Sequence, residues 1–142
     1  MAARPPDGVQ ECAGAYEAWV NRAADPKVRV PRGSLGLASV RADYDAVRGD
    51  DGRYDAERVE ARDYRIAGRI LFLRTFGAMT FVRLRDRTGE LQLLCDQSVL
   101  GDKYERLEDL DLGDFIEASG TAMATKRGEL SVGATSFRML TK

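Results

Sequence analysis

The chain has 142 residues, 32% of them charged, yet acids and bases nearly cancel to a formal charge of −1. That length suits one domain with an appendage rather than a large cleft between domains, and the balance argues against a generally basic protein while allowing a local basic face. Histidine is absent and the two cysteines, Cys12 and Cys95, lie far apart, which disfavours Cys/His zinc sites and excludes histidine acid–base chemistry and Ser-His-Asp triads.

The opening MAARPPDGVQE lacks the apolar run of a secretory signal. No stretch approaches the ~18 apolar residues that span a bilayer. A cytoplasmic setting without membrane contact is therefore expected. Residues 1–62 read as a helical N-terminal extension and linker. Val9, Cys12, Tyr16, Trp19 and Val20 follow one another at steps of 3, 4, 3 and 1, the pattern of an amphipathic helix, and Asp25-Pro26 ends it because proline disfavours helix in the residue before it. Ser34 is placed as the N-cap of a second short helix, with the stripe Leu37, Val40, Tyr44 and Val47. Residues 48–62 are charged, hold Gly49 and Gly52, and read as a linker or irregular loop. The apolar stripes are expected to pack on a neighbouring domain, with Trp19 a packing residue.

Residues 63–142 read as β-rich. Tyr64 to Arg74 is a bent first strand, with Gly68 available for the bend or a close contact. A turn holding Gly77 leads to a second strand over Thr80 to Asp86; Arg87-Thr88-Gly89 turns into a third over Glu90 to Asp96. Ser98 to Leu110 is a helical connection with Leu100, Tyr104 and Leu107 on one side. Two more strands follow, Asp114 to Ala124 and Glu129 to Leu140, joined by Thr125-Lys126-Arg127-Gly128. Three strands, a helix and two strands is the order of the OB-fold, a mainly β, five-stranded Greek-key barrel with a helix between strands three and four. SH3-like barrels are the competing architecture.

Side chains alternate between the faces of a strand. With Val82 and Leu84 inside, Phe81, Arg83 and Arg85 face out; with Leu91, Leu93 and Cys95 inside, Gln92 faces out; with Leu130 and Val132 inside, Glu129 and Ser131 face out. An outward ring among arginines suits stacking on a nucleobase with cations near phosphate. A glutamine amide both donates and accepts, so it can read a base edge. A carboxylate on such a face has a use only if it accepts from a base N–H or orients a neighbour. The bland alternative is that Phe81 is roofed by the leading helices while Gln92 and Glu129 are merely solvated. Asp111, Asp114 and Glu117 cluster in sequence but read as a turn entering a strand. There is no P-loop or dinucleotide-type glycine loop and no catalytic or metal constellation.

Several segments carry a resemblance: Ala67-Gly-Arg-Ile70, GAMTFVRLRD over Gly77 to Asp86, Thr88-Gly-Glu-Leu-Gln-Leu93, Asp111-Leu-Gly-Asp114, and Thr125-Lys-Arg-Gly-Glu-Leu-Ser-Val132 with Leu140-Thr-Lys142. Together they resemble the N-terminal anticodon-binding domain of bacterial-type class II lysyl-tRNA synthetases, closely over residues 64–142 and loosely before. Aspartyl- and asparaginyl-tRNA synthetases share the FVRLRD and TGELQ region; the ending favours the lysyl branch. The resemblance implies that Phe81 stacks on the central anticodon uridine, that Gln92 and Glu129 bond its edge, and that Arg69 and Arg74 position phosphates. The partner implied is tRNA, in particular lysine tRNA. The family often has lysine where this chain has Leu73 and Ala78, which weakens phosphate affinity and its salt dependence. Class II motifs for ATP, lysine and adenylate formation are expected beyond Lys142. The chain alone is thus expected to hold no cofactor and catalyse nothing, while a parent enzyme would use ATP and Mg and dimerise through its catalytic part. A synthetase-like portion of a lysyl-lipid-modifying protein, or a stand-alone interaction module, remains the alternative.

Overall fold

The structure, a computed structural model, describes residues 13–25, 36–125 and 127–141, the side chains of residues 13–16 not among them. Val9, Cys12, Pro26, Ser34, Lys126, Lys142 and the Tyr16 side chain lie outside the described residues. In chain order come helix α1 (Ala13–Ala24), helix α2 (Leu37–Ala42), strands β1 (Asp63–Phe76), β2 (Met79–Arg85) and β3 (Glu90–Asp96), the short helix α3 (Gln97–Leu100) running into a 3-10 helix (Gly101–Asp109), and strands β4 (Phe115–Ala124) and β5 (Leu130–Thr141). The strands close into a barrel in the order β1-β2-β3-β5-β4. All pairings are antiparallel except β3 with β5. This is the Greek-key OB-fold that the element order predicts. The connection between β3 and β4 is one α-helical turn followed by 3-10 helix rather than a continuous α-helix, but Leu100 and Leu107 are buried in it as the stripe requires.

Period-two alternation fills the interior. Ile66, Ile70, Val82, Leu84, Leu91, Leu93, Ile116, Leu130 and Val132 are each at most 1% exposed. Gly68 meets the expectation of a close contact: a Cβ there would lie 2.9 Å from the Arg85 carbonyl oxygen across the β1–β2 pair. The Cys95 thiol points into this interior, where burial, with Asp96 adding to it, pushes its pKa up to about 12. A thiol so placed offers no thiolate for chemistry.

The segment before β1 packs on the barrel. Leu37, Val40, Tyr44, Tyr54 and Val59 belong to the same buried cluster as the barrel interior, so residues 48–62, irregular as expected, bury two side chains rather than linking freely. The Tyr54 N–H donates to the Gly128 carbonyl at 2.9 Å. Tyr44 and Tyr64 meet edge to face with ring centroids 6.4 Å apart. Their hydroxyls donate to the Glu60 carbonyl at 2.7 Å and to Asp43 Oδ2 at 2.8 Å, and burial raises the pKa of both phenols.

Helix α2 begins after Gly36, which offers no capping side chain. The barrel supplies the cap from far along the chain: the Leu37 N–H donates to Asp86 Oδ2 at 2.9 Å and the Ala38 N–H to Thr88 Oγ1 at 3.1 Å. The other oxygen of Asp86 closes the β2–β3 turn, accepting from the Thr88 N–H at 2.7 Å, the Thr88 hydroxyl at 2.6 Å and the Gly89 N–H at 3.0 Å. Burial works against the charge on Asp86, but hydrogen bonds from the Thr88 hydroxyl and from the N–H groups of Leu37, Thr88 and Gly89 outweigh it and hold the carboxyl below the usual carboxylate range. A carboxylate with a lowered pKa contributes stability that is present above its unfolded value, about 3.9, and is lost as pH falls through the folded value. Asp86→Asn should therefore lower stability at neutral pH by about 1–3 kcal/mol and remove part of the loss that the wild type shows between pH 5 and pH 2, about the range over which such a group titrates. Urea unfolding midpoints across that range check both; parallel curves for the two proteins would show that Asp86 contributes nothing to the acid sensitivity.

Candidate nucleic-acid interface

The outer wall of β1, β2, β3 and β5 is laid out by register. Opposite one another stand Phe72 and Arg83, Arg74 and Phe81, and Phe76 and Met79 on β1 and β2; Arg83 and Gln92, and Phe81 and Leu94, on β2 and β3; Gln92 and Ser131 on β3 and β5. Phe81, Arg83, Gln92 and Glu129 are thus neighbours on one face, each partly exposed. Val82, Leu91 and Leu93, their neighbours in sequence, are wholly buried in the interior.

Arg74 reaches this wall only because of an irregularity. Before it, the even-numbered residues of β1 face inward: Tyr64, Ile66 and Ile70 are 6%, 0% and 1% exposed. Continued alternation would bury Phe72, Arg74 and Phe76. The β1–β2 register shifts between Ile70 and Phe72, a β-bulge that gives β1 one extra residue and reverses the parity of the strand beyond it. Phe72 and Phe76 are in consequence 50% and 49% exposed. Arg69, before the bulge, and Arg74, after it, are both exposed despite their odd separation. Each guanidinium lies over a ring: Arg69 4.8 Å over Phe115 and Arg74 4.2 Å over Phe76. Phe76 in turn meets Phe81 edge to face at 5.9 Å.

The polar members are linked. Gln92 Nε2 donates to Ser131 Oγ at 3.0 Å, and the Ser131 hydroxyl donates onward to the Glu129 carbonyl at 3.2 Å. With its single proton so used, Ser131 must accept from Gln92, which fixes the amide and leaves its oxygen and one N–H turned elsewhere. Arg83 Nη2 donates to Glu129 Oε1 at 3.2 Å. Arg41 of α2, which the sequence reading did not select, comes to 3.7 Å from the same oxygen and donates from Nε to the Glu90 carbonyl at 2.7 Å. It was legible only as the residue flanking the stripe of Leu37 and Val40, one step off the buried side of a helix. Phe72 and Phe76 were missed because the bulge leaves no mark in composition.

Helix α1 covers part of the wall. Trp19 is wholly buried against Met79, Leu94 and Met123, with Phe81 packed at the margin of that cluster. Its indole N–H donates to the Ala134 carbonyl at 3.1 Å. Gly133 makes the seat: a Cβ there would lie 2.5 Å from the Trp19 ring. Arg22 pins the helix to Asp63 of β1, its Nε donating at 3.0 Å to a carboxylate oxygen that also accepts from the Thr121 hydroxyl at 3.1 Å. The roofing that would hide Phe81 is therefore partial, and Arg83, Gln92 and Glu129 remain accessible beside it.

Among the described residues no group of acids, histidines and cysteines is placed to hold a metal ion, and no helix is long and apolar enough to cross a membrane. Asp111 and Asp114 form a turn, the Asp111 N–H donating to Asp114 Oδ2 at 2.9 Å.

A closed OB barrel whose open wall carries aromatic rings among arginines has the makings of a nucleic-acid-binding module. The chain belongs to the tRNA anticodon family of OB-fold nucleic acid binding domains, whose family model matches residues 64–140. It is 48% identical over 79 residues to a lysine–tRNA ligase of Dehalococcoides mccartyi and 41% identical over 91 residues to one of Xanthomonas campestris. These matches cover 55% and 63% of the chain but only 16% and 18% of the two relatives, so the chain spans about a sixth of the length of the curated relatives it matches. Among solved structures, an asparaginyl-tRNA synthetase of Pyrococcus horikoshii with bound asparaginyl-adenylate shares the fold, with a TM-score of 0.60 at 18% identity over 78% of this chain and 23% of that one.

The Arg41–Glu129 and Arg83–Glu129 pairs have side chains about a third exposed (30%, 36% and 35% for Arg41, Arg83 and Glu129). Exposed pairs contribute roughly 0.2–1 kcal/mol. A double-mutant cycle of Arg41→Met with Glu129→Gln should give a coupling energy in that range, falling in high salt. A coupling above about 2 kcal/mol would mean that the pair carries fold stability rather than presenting the carboxylate.

Proposed function

We propose that this domain reads the anticodon loop of a tRNA, taking uridine as its central base, and that lysine tRNA is the partner. The observation that carries the reading is the shared outer face of Phe81, Gln92 and Glu129. Uracil presents an N3–H donor between two carbonyl oxygens. A carboxylate beside a stacked uracil accepts from N3–H, and the free N–H of the Gln92 amide donates to a neighbouring carbonyl. Cytosine at the same place would turn an unprotonated N3 toward Glu129, two acceptors facing each other. Phe81 supplies the ring for stacking, and Arg83, Arg74 and Arg69 lie where the loop phosphates would pass.

The likeness to lysine–tRNA ligases supports the choice of tRNA. In a protein of their length, aminoacylation, its ATP and magnesium, and dimerisation would belong to the parts outside the matched sixth. Residues 1–62 would act there as a helical extension that frames the reading face, and residues 63–142 as the anticodon-binding domain. The absence of lysine at Leu73 and Ala78 leaves phosphate contact on this wall, among the described residues, to arginines, so a shallower salt dependence is expected than for relatives that keep those lysines.

Stem-loops differing only at the central anticodon position test the reading. Phe81→Ala should weaken binding of the uridine loop about tenfold, within the range for loss of one base stack. Glu129→Gln, whose amide can donate to cytosine N3, should bring the uridine and cytidine loops within a few-fold of each other, at roughly one hydrogen bond's difference. Unchanged affinity in the first variant together with an unchanged preference in the second would remove the reading.

A further inference from the structure

The outer wall holds more aromatic surface than one base can use. Phe72 is 50% exposed. It stands directly across from Arg83 in the β1–β2 register, while Phe81 stands two residues away along β2, opposite Arg74. Phe72 and Phe81 are therefore diagonal neighbours on one face, about 7–8 Å apart by the geometry of such pairs. An unstacked nucleotide unit can bridge that distance. The two sides of Phe81 are not equivalent. Toward Phe76 the wall is occupied: the Arg74 guanidinium lies over Phe76, the Phe76 and Phe81 rings meet edge to face, and Trp19 of α1 seals Met79 and Leu94 beyond. Toward Phe72 it is open among the described residues, since Trp19 packs on Met79, Leu94 and Met123 and not on this row.

The charge around Phe72 suits a nucleotide. Arg83 faces it, and one row further Arg69 and Arg85 face each other across the same two strands. The acid bordering this group on the β3 side is Glu90, opposite Arg85; Glu129 is already engaged by Arg83 and Arg41. An exposed ring set among arginines, one step from a reading site on the same wall, combines a stacking surface with cations at phosphate distance.

We propose that Phe72 is a second stacking platform, taking the unpaired base next to the one held at Phe81, Gln92 and Glu129. The bulge after Ile70 delivers it there. Stacking tolerates any base, so Phe72 adds affinity and fixes the path of the strand without reading a letter. Arg83, lying between the two platforms, meets the phosphate that joins the two nucleotides.

This rests on the anticodon-reading function proposed for the domain, and the experiment separates the two. The full 142-residue chain is titrated with an anticodon stem-loop bearing uridine at all the anticodon positions, and with versions carrying an abasic site at either neighbour of the central base. Phe72→Ala should bind the intact loop about tenfold more weakly, and Phe72→Trp should restore binding. Phe72→Ala should have no effect on one of the two abasic loops, whereas Phe81→Ala should still weaken both. If Phe72→Ala binds the intact loop like wild type while Phe81→Ala does not, the second platform is wrong and the function stands. If it weakens both abasic loops as much as the intact one, Phe72 supports the surface rather than a base, and the proposal is again wrong. If neither alanine variant weakens binding, the anticodon-reading function itself fails, and with it this inference.

Discussion

Leu71 has no partner of its own on β2, and what β1 contributes to the open wall stems from that one insertion. Up to Ile70 the pleat of β1 sends even-numbered side chains inside; from Phe72 it sends them out. The barrel needs this change of hand. β1 pairs with β4 along its first half and with β2 along its second, so it must bend from one part of the wall to the other, and a bulge supplies both bend and added twist. The consequence for chemistry is that a strand whose first half furnishes the core furnishes in its second half two exposed rings and an arginine. A one-residue slip that removed the bulge would put Leu73 outside and the Arg74 guanidinium into the core. Burying an unpaired charge costs several kcal/mol, so the register is strongly specified.

The leading helices act on this wall as a frame, and they are held by different means. Trp19 docks α1 by area and shape: an indole pressed onto the bare backbone of Gly133, its N–H returned to the Ala134 carbonyl. α2 is held by direction, because Asp86 and Thr88 accept from its first N–H groups. A six-residue helix is too short to be stable alone, so its orientation is decided by the barrel turn that caps it. That orientation carries Arg41 to Glu129. The FVRLRD and TGEL segments, whose alternate strand residues face the open wall, thus also contain the turn that aims a residue from outside the barrel at that wall.

Alternation in β2, β3 and β5 was enough to place Phe81, Arg83, Gln92 and Glu129 on one side, because those strands are regular through the residues concerned and each shows an aliphatic set for the interior. The element order, with β3 legible to the residue, gave the barrel. Two kinds of feature stayed hidden. Bulges obey no local composition rule, so Phe72 and Phe76 could not be assigned to a face from periodicity. Contacts between distant segments are invisible in a window: the capping of α2 by Asp86 spans 49 residues, and a local donor-acceptor search finds Ser34 instead, which lies outside the described residues. The connection after β3 showed the limit of the helical period. Tyr104 and Leu107, three residues apart, share a side in either helix type, so their spacing does not distinguish α from 3-10 over so short a run.

Gln92 and Glu129 are held with unequal firmness, and the difference suits the base-reading role proposed for them. Gln92 is fixed through Ser131, which is wholly buried; because the Ser131 hydroxyl already donates to the Glu129 carbonyl, turning the amide would set its oxygen against a hydroxyl oxygen with no proton left to give, and lose a hydrogen bond of about 0.5–1.5 kcal/mol. Glu129 is held by two guanidinium groups at the solvent boundary, where such pairs are weak and readily exchanged. An incoming N–H can therefore share the carboxylate with Arg83 and Arg41 without breaking anything the fold depends on. In the proposed reading, the arginines, displaced slightly, would remain beside the phosphates that arrive with the base. On that reading, a rigid amide would fix where the base edge must lie, and a compliant carboxylate would complete the contact once the base is there. The reverse arrangement, a buried carboxylate and a loose amide, would cost the desolvation of a charge in the free protein and leave the neutral reader to wander.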